Sequence, residues 1–501
     1  MGRALVAGSF FEASGFGDIM KTRGIFVLLV LLTLVRGVWV ALHEIAPQEA
    51  YYWLCSTRLA PAFFDGPPGT AFLVAICNSV DGPSMLIARL LWPALGLLAS
   101  VFAWVLAKEL FDETTAGWTV VGLNVLPVFN ASAVVIGPVL PALLFVLAGS
   151  WSVRRAWAGH GNFWALAGVF FAGTALFRYD AVLVPAGLLI VTLASPRHRT
   201  RIDIAGCLWI VLAVVLALWM PAVWNAGLEW IPMAGGTLRT AWEFRWTGFP
   251  AAVGAGGVTL AAAVVLLAGA VWLLRDARRH EKSRFLLAAG GLSVLAWIYL
   301  ALRGVDPVGG ALFGSVPVLI FLATRASQSR PGGIIAFGVC VVLAGISVSA
   351  GIRSADDRAA WRPLADAMKL AVRDMPAGEG EGFFIAEDPD AAAMLGWILK
   401  PTNAGGPPPV FVPESPGLPD QFGLWPSYAD FVESPVVTDE YYTEQKGVNP
   451  FIGRHALYVG PDLPQTIAGA FEQVDPLQTI TLPGGRTFTI YLCLSYQTLP
   501  L

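Results

Sequence analysis

Charge is scarce in this chain. Of its 501 residues only 13% are charged and 56% are hydrophobic, where an average soluble domain carries charge on about a quarter of its residues. So little charge excludes a water-soluble globule and implies a membrane protein. Cysteine is scarce too: Cys55, Cys77, Cys207, Cys340 and Cys493 are scattered, with no CxxC and no His/Cys ligand spacing. Neither a zinc site nor a disulfide framework is signalled. A cleaved signal peptide is lacking as well, because the first nineteen residues have no basic start leading into an apolar core and no small-residue cleavage site follows Arg23. Met1 and Met20 both stand as starts. No nucleic-acid partner is expected.

Long apolar runs are what the chain has instead. Runs approaching the roughly 20 residues of a spanning helix fall at 24–42, 85–107, 116–130, 134–153, 161–176, 181–195, 204–222, 250–274, 285–302, 311–324 and 333–350. They predict about eleven spans. The basic residues Lys21 and Arg23, Lys108, Arg154 and Arg155, Arg197 to Arg201, the run RDARRHEKSR at 275–284, and Arg325 with Arg330 all fall on alternate loops. Because short basic loops stay in the cytoplasm, residues 43–84, 223–249, 304–310 and everything after 350 are expected on the outer face. The 19 Trp and 29 Phe fit aromatic belts at the interfaces.

The net charge of −3 hides a division. From Gly351 onward there are 19 acidic and 9 basic residues, a balance of −10, which leaves +7 before it. This acidic tail reads as a helix at ADDRAAWRPLADAMKLAVRDM followed by short strand runs, GFFIAED, PVFVPE, HALYVG and TFTIYLCLSY, between Pro/Gly-rich turns. The expectation is an α-helical polytopic membrane domain over 1–350, with a long outer loop at 43–84, and an extracytoplasmic α/β domain over 351–501.

The outer loop carries PQEAYYWLCSTRLAPAFFDGPPG at 47–69, whose aromatic and apolar residues recur at helical spacing, as in a helix lying in the interface plane. An acidic pair after the first span, then AYYW, S-x-x-LA and FD-x-PP is an arrangement that resembles bacterial membrane glycosyltransferases of the dolichyl-phosphate-mannose protein mannosyltransferase type, including lipid A sugar transferases. Further matches are Arg89 with Leu90, Pro138 with Pro141, FRYDAVLVPAG at 177–187, WNAGLEW at 224–230, QFGLWPS at 421–427 and RHALYVG at 454–460. The resemblance implies a GT-C fold in a bacterial inner membrane, with the tail in the periplasm. It implies inverting transfer of a hexosyl or pentosyl group from a polyprenyl-phosphate carrier to a lipid, glycan or protein acceptor, as in lipid A or polysaccharide modification.

That chemistry needs a carboxylate near the acceptor hydroxyl and cations against the departing phosphate. Glu49 is the expected base, with Asp65 assisting. Arg58, Arg89, Arg178, Tyr179 and Arg245 are expected at the phosphate and donor, and Gln48, Tyr51, Tyr52 and Trp224 at the substrate. His43 and Glu44 beside Glu49 are too weak a signal to predict a metal. The family usually reads DEAYYW, FDHPP or EKPP, and TPDAP, where this chain has QEAYYW, FDGPP and GPVLP, so Gln48, Gly66 and Val139 stand where ionisable groups are usual. An alternative function follows from these departures: an inactive relative that binds carrier lipid or regulates a partner enzyme.

Overall fold

The computed structural model describes residues 22–498 apart from 199, 234–259, 303–307, 329, 360, 377–380, 401–407, 415–419, 431, 440–441 and 483–485. Arg245 lies outside the described residues. In chain order the helices are α1 (Thr22–Leu42), α2 (Pro47–Thr57), α3 (Gly69–Asp81), α4 (Leu86–Leu110), α5 (Glu113–Val125), α6 (Pro127–Val134), α7 (Val139–Trp157), α8 (Phe163–Phe177), α9 (Leu183–Ala194) and α10 (Arg201–Gly227). After these come α11 (Leu260–Ala277), α12 (Glu281–Leu302), α13 (Val308–Gln328), α14 (Arg330–Ala359), α15 (Arg362–Asp374), α16 (Pro389–Ile398) and α17 (Gln465–Ala470). The chain divides into two compact units, one of Met1–Leu42, Gly66–Leu73 and Leu86–Ile352, the other of His43–Asp65, Val74–Met85 and Arg353–Leu501.

The first unit is helical. Among the described residues α1 (from Arg23), α4, α7 and α10 are long and apolar enough to cross a bilayer, and α5 with α6, bent by 68° at their junction, would make a fifth span. Other apolar helices, α8 among them, are shorter. These lengths make the chain a multi-pass helical membrane protein without establishing the expected eleven spans. Leu34, Val35 and Val38 on α1 and Leu208, Leu212, Leu216 and Trp219 on α10 stand exposed, which suits hydrocarbon rather than water.

Small residues let these helices close on each other. Trp164 of α8 lies on Gly206 of α10, and Trp209 of α10 lies on Gly168 of α8, so that a Cβ at either glycine would overlap an indole. The indoles then reach polar partners: Trp164 Nε1 donates to Asp203 Oδ1 at 3.2 Å and Trp209 Nε1 to the Ala165 carbonyl at 3.1 Å.

Arg36 of α1 is buried at 6% exposure. Pro127 has no N–H, so α5 cannot continue through it, and the carbonyl of Asn124 is taken by Asn130 Nδ2 at 2.7 Å. Arg36 donates to Asn124 Oδ1 at 3.0 Å and to Asn130 Oδ1 at 2.6 Å, and its guanidinium lies over Phe129. One cation therefore ties α1 to both arms of the bend.

The second unit holds a five-stranded sheet of order β2-β1-β5-β7-β6, built from β1 (Phe383–Ala386), β2 (Val410–Phe411), β5 (Ala456–Gly460), β6 (Phe471–Thr481) and β7 (Thr487–Tyr496). A separate hairpin pairs β3 (Val432–Asp439) with β4 (Tyr442–Val448). β2, β1 and β5 run parallel, with α16 as the crossover from β1 to β2, while β7 is antiparallel to β5 and β6. Phe383, Tyr428, Tyr458, Phe471 and Tyr496 form its aromatic core. The four strand runs expected from sequence are β1, β2, β5 and β7.

Replacing Arg36 with Leu should lower stability in detergent by about 2–4 kcal/mol, because two buried amide oxygens lose their donor. The neighbouring lipid-facing change Val35→Leu should leave the unfolding midpoint in a thermal-shift or SDS titration unmoved.

Candidate functional site

In the second unit the site is built on α2. Pro47 occupies its first turn, where a missing N–H costs nothing. Ala46 has no side chain to cap the helix, and Glu49 turns back so that Oε2 accepts the Ala46 N–H at 2.9 Å. The same oxygen accepts from Arg358 Nη1 at 2.8 Å, and Arg358 also donates to the Glu44 carbonyl at 2.9 Å. Glu49 is 0% exposed and Arg358 2%. Glu49 was expected to offer a carboxylate to substrate; its oxygen is instead committed to a helix cap and a buried ion pair. Arg362 continues the cluster by gripping Glu44 Oε1 with two nitrogens, at 2.9 and 2.6 Å.

Asp65 is placed differently. It is exposed, yet the surrounding protein raises its carboxyl above the ordinary range; the nearby Tyr51 hydroxyl pulls it back down and Asp420 pushes it up. The Tyr51 hydroxyl is buried beside Asp65 and Cys55 and has no hydrogen-bond partner among the described residues. Tyr52 packs edge-on against Tyr51 at 5.5 Å, and Gln48 is exposed.

The motif QFGLWPS holds this loop. Buried Gln421 accepts the Phe64 N–H on Oε1 at 2.7 Å, one residue before Asp65, and Trp425 lies under the Arg58 guanidinium at 4.7 Å. Asp420 fixes the turn by accepting from the backbone of Phe422 and Gly423. Arg358, Gln421 and Trp425 were not among the residues predicted. The match of QFGLWPS to the resembled family was the available signal for the last two.

In the first unit, Arg178 follows α8 and is bound bidentately by Asp180, at 2.8 and 2.9 Å. Tyr179 neighbours Asn225 of α10; among the described residues the Tyr179 hydroxyl and Asn225 Oδ1 are both buried without a hydrogen-bond partner. Trp224 is half-buried on the same helix, and Arg89 is half-buried in the first turn of α4. Among the described residues no three His, Cys, Asp or Glu side chains gather as a metal site.

Residues 65–224, about a third of the chain, match the family model described as dolichyl-phosphate-mannose-protein mannosyltransferase. No curated protein matches the chain in sequence. In three dimensions it is similar to ArnT from Cupriavidus metallidurans. Against the crystal structure of ArnT bound to undecaprenyl phosphate the TM-score is 0.59 at 13% identity, covering 96% of this chain and 100% of that one. Against apo ArnT the TM-score is again 0.59 at 13% identity, covering 96% and 99%. A likeness at this identity is one of fold. This chain has the fold of GT-C membrane glycosyltransferases and resembles the dolichyl-phosphate-mannose-protein mannosyltransferase family.

Proposed function

We propose that the protein is a membrane glycosyltransferase of the bacterial inner membrane. It would move a hexosyl or pentosyl group, with inversion, from a polyprenyl-phosphate carrier to a lipid, glycan or protein hydroxyl at the outer face. This reading takes about eleven spans and a periplasmic segment after residue 350. The observation that carries it is Asp65: a solvent-reachable carboxylate with raised proton affinity, beside Tyr51, on a loop that Gln421 holds through the Phe64 N–H, at the start of the family match. A base works best when its pKa lies near the working pH. Asp65 takes the acceptor hydroxyl proton, the acceptor oxygen bonds to the anomeric carbon, and the carbon–phosphate-oxygen bond breaks to release polyprenyl phosphate. Arg58, Arg89, Arg178 and Arg245 are the cations offered to that phosphate. Glu49 is reassigned from base to positioning residue, since its cap and ion pair fix α2.

One set of observations favours the inactive alternative. Glu49 is sealed by Arg358, Arg178 is already chelated by Asp180, and Gly66 and Val139 carry no charge. A binding protein would keep the fold and still bind carrier.

Protein in lipid nanodiscs, incubated with radiolabelled polyprenyl-phosphate sugars and envelope lipid extract, separates the two readings. Transfer supports the enzyme; carrier binding without turnover overturns it. Asp65→Asn should reduce turnover by about 10²–10⁴-fold, while Glu49→Gln should mainly lower the unfolding temperature. Because the Asp65 pKa is raised, its basic form disappears as pH falls through that raised value. The acid limb of the rate profile should therefore lie above the ordinary aspartate value of about 3.9. Gln421→Ala should cost roughly tenfold in rate with folding retained, through misplacement of Asp65.

A further inference from the structure

A second feature of the second unit lies apart from Asp65. Arg362, Asp366 and Lys369 recur at helical spacing on α15 and, with Arg358, line an open cavity of about 390 Å³. Met394, Trp397 and Ile398 line it from one face of α16, and Lys400 follows them. The charges are partly matched. Glu44 is gripped by Arg362 and Arg358 pairs with Glu49; among the described residues that line the cavity, four are basic, and Glu44 and Asp366 are acidic. Lys400 places Nζ 3.0 Å from the centre of the Trp397 ring, which holds an ammonium at an aromatic surface. Burial lowers its pKa to about 8, so this cation is partly stripped of water.

An ordinary solvated charged face would lack this recessed volume, the apolar floor and the partly desolvated lysine. We propose that this cavity binds a phosphate group carried on a polyol, as in a sugar phosphate or a phospholipid head. The phosphate is taken by Arg362, Lys369 and Lys400, and the rest of the ligand lies on Met394, Trp397 and Ile398. Arg362 exchanges part of its hold on Glu44 for the phosphate, to which guanidinium bonds bidentately. None of these residues takes part in the proposed transfer step, so the inference stands or falls separately from it.

The test is calorimetric titration of the full chain in phosphatidylcholine nanodiscs with two probes, glucose 1-phosphate and dihexanoylphosphatidylglycerol. Saturable binding of either is expected, and the tighter probe identifies a free sugar phosphate or a lipid head as the source. Lys369→Gln should weaken binding at least fivefold, and Arg362→Gln with Lys369→Gln at least twentyfold. Arg373→Gln removes the same charge from α15 outside the cavity and should change nothing. Affinity should fall as pH rises through about 8, where Lys400 loses its proton, and Lys400→Gln should flatten that dependence. No saturable binding of either probe, or equal weakening by Arg373→Gln, would overturn the proposal.

Discussion

A buried ion pair anchors the start of α2 in the second unit. Glu49 and Arg358 lie 309 residues apart in sequence and meet at 2.8 Å with both side chains sealed from solvent. Taking two charges out of water costs several kcal/mol each, which only good geometry and further hydrogen bonds offset. Both conditions are met, since Glu49 also caps α2 through Ala46 and Arg358 also binds the Glu44 carbonyl. Such a pair contributes little net stability compared with an apolar replacement, but losing one member leaves a buried charge alone. Its effect is to fix the start of α2, and thereby the loop that ends at Asp65, against the helix that begins the C-terminal segment of the same unit.

The first unit meets the same problem with other chemistry. Two asparagine side-chain carbonyls receive Arg36, one on each side of the Pro127 break. Neutral amides avoid burying a second charge, and their dipoles are oriented by their own bonds: Asn124 Nδ2 donates to Ser100 Oγ and Asn130 Nδ2 to the Asn124 carbonyl. A helix break that would expose unsatisfied backbone inside the bilayer thus becomes a point of attachment.

Much of the fold was legible in the sequence because hydropathy and strand alternation are local signals. The apolar runs correspond to helices wherever residues are described, and β1, β2, β5 and β7 fall on the runs singled out for them. β6 was missed for a physical reason: FEQVDPLQTIT is largely polar, with a register shift beside Pro476, so its apolar alternation is broken. The hairpin of β3 and β4 was missed too, and VESPVVTD carries a proline in mid-strand. Span number was less legible, since α8 and α9 are 15 and 12 residues long and fall short of the usual crossing length. The site was half legible. Motif resemblance pointed to α2, Asp65 and QFGLWPS, but nothing local in Glu49 signals that an arginine from the far end of the chain will neutralise it. Acidity marked a candidate base; only tertiary structure distinguishes a sealed carboxylate from an accessible one.

The glycine after Asp65 makes the same distinction at the level of the backbone. Gly66 stands where the resembled family carries His or Lys, and its φ of +148° lies in a region that side chains with a Cβ rarely adopt. A Cβ there would meet no atom within 4 Å, so the obstacle to a cation at this position is torsional rather than steric. A charged side chain and this turn are therefore incompatible without strain, and the Pro67–Pro68 pair that follows fixes the chain direction on leaving it. A cation placed here by substitution would strain the turn unless φ relaxed to a negative value. In the proposed transfer the phosphate would meet cations elsewhere in the chain, and the Arg178 guanidinium could serve only by giving up part of its bidentate bond to Asp180.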